Sequence, residues 1–316
     1  MRPLASERGV VPSGDFNRFL ADLAPYVKGV GLRPVLWSDL PSPHMTPEHM
    51  FRLARDVDRI LVEPSVRGAV VIHGTDVLVE SAFMADLVVG SAKPVVYTGS
   101  MRFYSETGYD GIRNLLNSIR ACMLPLPAGA GVSLLMTDRL FAARDAVKIN
   151  SLNIDAFEAP ESGPMGYVAG EEIILTHRPG GKTDGKRSLI PTESIDPNVA
   201  LIACYTGMNG DLLEHLRQQK ISGLVLEGFG AGNVPPGVVP AIEAMLADGI
   251  PVVLATRCPE GGVCPVYAYP GGGADLMKKG VILAGRLSGV KARIQLMVAL
   301  GAGYGIEAIR KSYENR

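Results

Sequence analysis

The chain has 316 residues, enough for one large domain or two medium ones, with 47% apolar and 20% charged residues. Its 31 Lys+Arg against 32 Asp+Glu give a formal net charge of −1, without the basic surplus that a nucleic-acid footprint needs. No apolar run reaches the length of a membrane span, the N-terminus carries no apolar signal core, and the 4 cysteines are scattered, so the arithmetic points away from membrane, secreted and disulfide-stapled classes and towards a cytoplasmic α/β enzyme.

The first periodic element is a helix over Phe16–Leu23, with Phe16, Phe19, Leu20 and Leu23 on one face. No strand precedes it, although doubly wound domains usually open on one, so the expectation is that a first strand lies upstream of Met1 or is supplied in some other way. Thr46-Pro47 reads as an N-cap followed by proline in the first helical position, opening a helix with Met50, Leu53, Ala54, Val57, Ile60 and Leu61 inward. Apolar runs at Gly68–Ile72, Pro94–Thr98, Gly131–Thr137 and Glu172–Leu175 read as strands, and so do Ala200–Tyr205, Gly223–Leu226 and Pro251–Ala255 further on. Most are continuous rather than alternating, which predicts parallel strands buried on both faces. Helical periodicity fills the intervals at Gly111–Cys122 (through Ile112, Leu115, Leu116 and Ile119), Asp211–Gln219, Pro236–Asp248 and Val290–Leu300. This alternation predicts two doubly wound α/β domains. The polar, glycine-rich stretch from Arg178 to Arg187 breaks it, giving a domain over 1–177, a linker over 178–197 and a second domain over 198–316.

Chemistry collects at the strand ends. Val70-Val71-Ile72-His73-Gly74-Thr75-Asp76-Val77 runs from a strand into a helix, where α/β sheets build their sites. A hydroxyl beside a carboxylate suits nucleophilic attack and the binding of a cation, while spacing alone also suits a plain N-cap. Lys148 sits in the mostly apolar stretch Phe141–Asn150; it is a candidate base for a threonine hydroxyl, or a surface lysine with a buried stem. Thr98-Gly99-Ser100-Met101-Arg102 ends another strand and alone is a turn. Gly228-Phe229-Gly230-Ala231-Gly232-Asn233 is similar to a dinucleotide loop, but Asn233 stands at the third glycine and two prolines follow, so a tight turn is the better reading. Cys258 and Cys264 lack both metal-ligand spacing and a nearby histidine, so no metal is expected.

Taken in order, His73-Gly74-Thr75-Asp76, Thr98-Gly99-Ser100-Met101-Arg102, Asp110-Gly111 with Asn114-Leu115, Ala143-Arg144-Asp145-Ala146-Val147-Lys148 and Gly163-Pro164-Met165-Gly166-Tyr167 resemble the bacterial L-asparaginase/glutaminase family. Glu227 to Pro236, Arg257-Cys258-Pro259-Glu260-Gly261 and Lys291-Ala292-Arg293 continue the resemblance through the second half. It implies a larger N-terminal and a smaller flavodoxin-like C-terminal domain, no cofactor, and a homodimer or tetramer with sites at subunit contacts. It implies hydrolysis of a small amide, by default L-asparagine to L-aspartate and ammonia, through a threonine acyl-enzyme. By position Thr75 is the nucleophile or activator, Lys148 its base, and Asp76 the group that orients Lys148 and holds a substrate ammonium. Ser42 and Ser100 join Thr75 and Asp76 as substrate-binding residues; for Ser42 plain loop capping stays open.

Four departures modify that expectation. The family's glycine-glycine-threonine motif would fall immediately before Met1, and the residue matching its mobile-loop tyrosine is Val10, which cannot relay a proton. Pro43 follows Ser42 and has no N–H for a substrate carboxylate, a loss of roughly 1.5–3 kcal/mol. Val77 replaces a threonine after Asp76. These changes leave open another amide or lactam as substrate, or a weakened homologue that binds an amino-acid-like ligand. A nucleotide-binding protein using the Gly228–Gly232 loop is the rival from a different chemistry.

Overall fold

The computed structural model describes residues 16–27, 29–124, 131–176 and 189–314, with backbone alone for 16–19. Loop 1–13, with Val10, and the polar stretch 178–187 lie outside the described residues. The chain divides into two units, Met1–Arg187 and Ser188–Arg316.

The first unit runs α1 (Phe16–Leu23), α2 (Pro47–Leu61), β1 (Ala69–Ile72), α3 (Leu78–Val88), β2 (Val95–Thr98), α4 (Gly111–Met123), β3 (Val132–Met136), β4 (Arg139–Ala142), β5 (Val147–Lys148), β6 (Phe157–Glu158), β7 (Gly166–Ala169) and β8 (Glu172–Leu175). Thr46 caps α2 by accepting from the His49 N–H at 3.4 Å, Pro47 occupies the first turn, and Met50, Leu53, Ala54, Val57 and Leu61 are buried. Helix α3 is buried nearly all round, from Leu78 to Val88, so its sequence shows no apolar stripe. Helix α4 departs from its apolar pattern. It buries Asn114, Leu115, Asn117 and Ser118, while Ile112, Leu116 and Ile119 are only half-buried.

The six-stranded sheet has the order β1-β2-β3-β4-β7-β8. Strands β1, β2 and β3 are parallel, but β4, β7 and β8 each pair antiparallel. Glu172–Leu175, expected among buried parallel strands, is therefore the exposed antiparallel end of a mixed sheet. Loop length explains this, because a two-residue connection can only make a hairpin. Thr137 and Asp138 join β3 to β4 at φ 48° and 61°, both left-handed as a type I′ turn requires. Gly170 at φ 66° opens the turn between β7 and β8. Val96, Leu135, Leu140, Ala142 and Met165 pack as one cluster across this sheet. Strands β5 and β6 form a separate two-stranded ladder.

The second unit contains β9 (Val199–Ala203), α5 (Asp211–Gln218), β10 (Gly223–Gly228), α6 (Val239–Ala247), β11 (Val252–Thr256), α7 (Gly273–Lys279), β12 (Ile282–Leu283), α8 (Gly289–Gly301) and α9 (Ile306–Glu314). Its four strands are all parallel, in the order β12-β11-β10-β9. Leu224, Leu226 and Leu254 pack with Leu213 of α5 and Ile242 and Met245 of α6. On the opposite face a Cβ at Gly223 would come within 2.8 Å of Leu296 of α8, so the helix lies directly on the strand. Helices on both faces of a parallel sheet make this unit doubly wound. The loop after β10 closes as a tight turn through Phe229 and Asn233 and leads into a 3₁₀ turn at Pro236–Val238 before α6. That sequence of turns agrees with the reading against a dinucleotide loop.

Candidate active site

Strands β1 and β2 end level, with Ile72 opposite Thr98, and the His73 N–H donates to the Thr98 carbonyl at 2.8 Å. The segment from His73 to Asp76 therefore leaves the sheet beside Gly99. A Cβ at Gly99 would collide with the His73 carbonyl and touch Thr75 Cγ2 at 3.3 Å, so only glycine lets these two strand ends meet. Gly74 is equally restricted, since a Cβ there would lie 2.6 Å from Ser42 Oγ. Ser42, buried at the start of a 3₁₀ turn, accepts from the Asp76 N–H at 3.4 Å.

Helix α3 begins at Leu78 after Val77, with no side-chain cap. Thr75 and Asp76 are thus not used as caps, which leaves their side chains for Lys148. Lys148 Nζ lies 3.1 Å from Thr75 Oγ1 and 3.0 Å from Asp76 Oδ1. The lysine side chain is 17% exposed and the aspartate 58%, so amine and hydroxyl sit below a carboxylate that faces solvent. Lys148 belongs to β5, whose pairing with β6 (Lys148 opposite Phe157) directs it from outside the main sheet.

His73 is 8% exposed, and its Nδ1–H donates to the Gly74 carbonyl at 2.7 Å. Nε2 is buried with no hydrogen-bond partner among the described residues, and burial pushes the imidazole below its ordinary value, which favours the neutral ring. Ser100 follows Gly99, half-buried, and its hydroxyl pairs with the Tyr109 phenol, a bond that opposes the upward push of burial on that phenol. The structure thus joins Ser42, Thr75, Asp76 and Lys148 into one contact set and places Ser100 beyond Gly99, turned towards Tyr109. Two contributors escaped the sequence reading. His73 stood in the quoted motif without a role, and Tyr109 had no signal beyond its place before Asp110.

A hydroxyl, a carboxylate and an amine brought together beside the ends of the parallel strands of a mixed α/β sheet define a class of α/β enzyme that can activate a hydroxyl nucleophile. The comparisons with known proteins narrow it. Residues 1–180 match the family model described as "Asparaginase, N-terminal", and residues 198–312 match "Glutaminase/Asparaginase C-terminal domain". An L-asparaginase of Bacillus licheniformis is 33% identical over 263 residues, covering 83% of this chain and 80% of the relative. A probable L-asparaginase of Deinococcus radiodurans is 34% identical over 316 residues, covering 99% and 92%. The crystal structure of a probable cytoplasmic L-asparaginase from Campylobacter jejuni superposes with a TM-score of 0.79 at 28% identity, covering 88% of this chain and 89% of that one. The chain belongs to the asparaginase family.

Proposed function

We propose that the protein is an amidohydrolase that cleaves a side-chain carboxamide, with L-asparagine the first substrate to test, through an acyl intermediate on Thr75. The observation that carries this reading is Lys148 Nζ within 3.1 Å of Thr75 Oγ1 and 3.0 Å of Asp76 Oδ1. In its amine form Lys148 takes the Thr75 proton as the oxygen attacks the amide carbon. The resulting ammonium returns that proton to the leaving nitrogen, and ammonia departs. Water then adds to the ester, releasing the carboxylic acid and restoring the threonine hydroxyl. Asp76 holds Lys148 in line by accepting its 3.0 Å hydrogen bond, a contact that becomes an ion pair once the amine has taken the proton, and its solvent-facing carboxylate suits a substrate ammonium. Ser42 fixes the turn through the Asp76 N–H, and Ser100 belongs to the wall beyond Gly99.

Ammonia release from L-asparagine, L-glutamine and their D-isomers tests the activity. Lys148→Met should lower turnover by roughly 100- to 10,000-fold while far-UV circular dichroism stays unchanged. A variant that keeps most of its activity removes Lys148 as the base. A second reading, an amide or lactam other than asparagine, is favoured by Pro43, which offers no N–H beside Ser42. Turnover of a substrate without an α-carboxylate in preference to asparagine selects it. Binding of an amino acid without any turnover selects instead a weakened homologue. Within the same reading the protein acts in the cytoplasm without a cofactor and self-associates into a dimer or tetramer. Light scattering after size exclusion measures the last.

A further inference from the structure

The amine of Lys148 and the hydroxyl of Thr75 come from different sheets, so something must hold the two sheets in register. The contacts form one continuous path. Asn114, 1% exposed on α4, donates through Nδ2 to the Gly99 carbonyl at 3.0 Å and to Asp110 Oδ2 at 2.9 Å. Its Oδ1 accepts from the Thr137 N–H at 3.0 Å. Both amide hydrogens and one lone pair of the carbonyl oxygen are therefore in use, and the amide has one orientation. Gly99 abuts Thr75, as the contact its Cβ would make shows. On the other side, Thr137 Oγ1 donates to the Ile154 carbonyl at 2.9 Å, within the loop joining β5 to β6. The left-handed backbone at Thr137 and Asp138 allows the Thr137 N–H to face α4 while its hydroxyl faces that loop.

We infer that Asn114 and Thr137 are positioning residues that set the separation between Thr75 and Lys148, Asn114 from the Thr75 side and Thr137 from the Lys148 side. Neither touches the reacting atoms. The inference rests on the proposed Thr75–Lys148 chemistry and adds to it a named path that fixes its geometry. Arg139 ties the same hairpin through Asp155 and through the Phe157 carbonyl at 2.9 Å, so removing the Thr137 hydroxyl loosens the hairpin without releasing it.

Thr137→Val keeps the shape and the N–H but removes the bond to Ile154, whereas Thr137→Ser keeps the hydroxyl. For Thr137→Val we expect kcat to fall roughly 10- to 100-fold with KM within about threefold, because small misplacements of catalytic groups are costly. Thr137→Ser should return kcat to within about threefold of the parent, a rescue that general destabilisation does not produce. Asn114→Asp, which sets a carboxylate against Asp110, should lower kcat in the same way if it folds; the Thr137 pair decides the question if it does not. Equal kcat in Thr137→Val and the parent, or an equal loss in Thr137→Ser, overturns the inference. Lys148→Met run alongside separates the two readings. An inactive lysine variant beside a fully active Thr137→Val sinks only the brace, and an active lysine variant sinks the chemistry itself.

Discussion

Gly74 carries more of the site than its size suggests. A methyl group there would press on Ser42 Oγ and Cβ at 2.6 and 2.7 Å, so Gly74→Ala must shift either the Ser42 turn or the backbone that presents Thr75. The expected outcome is a loss of kcat of at least about tenfold, measured by ammonia release, with a smaller change in stability. His73 has a different signature. Its folded value lies below the ordinary 6.5 because burial disfavours the charged ring. As pH falls through 6.5 the unfolded chain takes up a proton that the folded chain refuses. The stability held by the neutral ring is therefore full above that pH, declines below it, and is gone once the folded ring is protonated too. His73→Asn keeps a donor for the Gly74 carbonyl and cannot titrate, so its Tm should vary less with pH on the acid side of 6.5 than the parent's. An identical slope in thermal scans of the two proteins would contradict this. At this scale the sequence was only half legible. Position at a strand end marked Thr75 and Asp76, but spacing suited a cap as well as a site, and their pairing with Lys148 came from the family resemblance. A contact between residues 72 and 73 positions apart leaves no trace in local pattern.

Elements with a clear pattern are legible to within a residue or two: α1 over Phe16–Leu23, the cap and inner face of α2, and the parallel strands β1, β2, β3, β9, β10 and β11, whereas the two-residue β12 carries too short a run to show. Thr46→Ala should cost about 0.5–2 kcal/mol of stability through the lost cap, seen as a lower denaturation midpoint with activity retained. Elements without a period were missed for physical reasons. Helix α3 is buried all round, so only its start was marked. Helix α4 is legible as an element, Gly111–Cys122 against the observed Gly111–Met123, but not in its buried face: it turns Asn114, Asn117 and Ser118 inward, against the rule that the apolar face is the buried one. The Asn114 and Asn117 amides bond to the Gly99 carbonyl and to Asp138, and the Ser118 hydroxyl bonds to the Asn114 carbonyl, which offsets their desolvation. The Thr137–Asp138 turn lacks the Asn-Gly or Asp-Gly signal, and both residues hold φ > 0 without it. Asp138 is secured there by Arg113 and Asn117 at 2.8 and 2.9 Å, contacts that only the fold supplies.

For the molecule as a whole, alternation of strands and helices sufficed for the fold class, while two of the three antiparallel pairings of the first sheet follow from two-residue connections that composition does not reveal. Each unit has a core of its own, and the four cysteines report on both. Burial pushes the Cys122 thiol up to about 12 and the Cys204 thiol up to about 11, whereas Cys258 and Cys264 are exposed. A disulfide reagent at about pH 8 should therefore titrate two thiols in the native protein and four in denaturant, since the thiolate is the reacting form. Fast reaction of a third thiol in native buffer would contradict the shielding of half-buried Cys122 and buried Cys204.

The two-stranded ladder that carries Lys148 has a consequence for how this protein could be altered. Thr75 and Lys148 are presented by separate pieces of backbone, one in the turn that follows β1 of the main sheet and the other on a short hairpin whose loop, Ile149 to Leu152 and on to Asn153, is exposed. Mutational libraries confined to that loop can move the amine by fractions of an ångström without cutting into a packed core. Selections for new amide substrates therefore have a place to act in which folding and reactivity are separately adjustable, and Ile154, the point at which the loop is tied down, is the residue to leave alone.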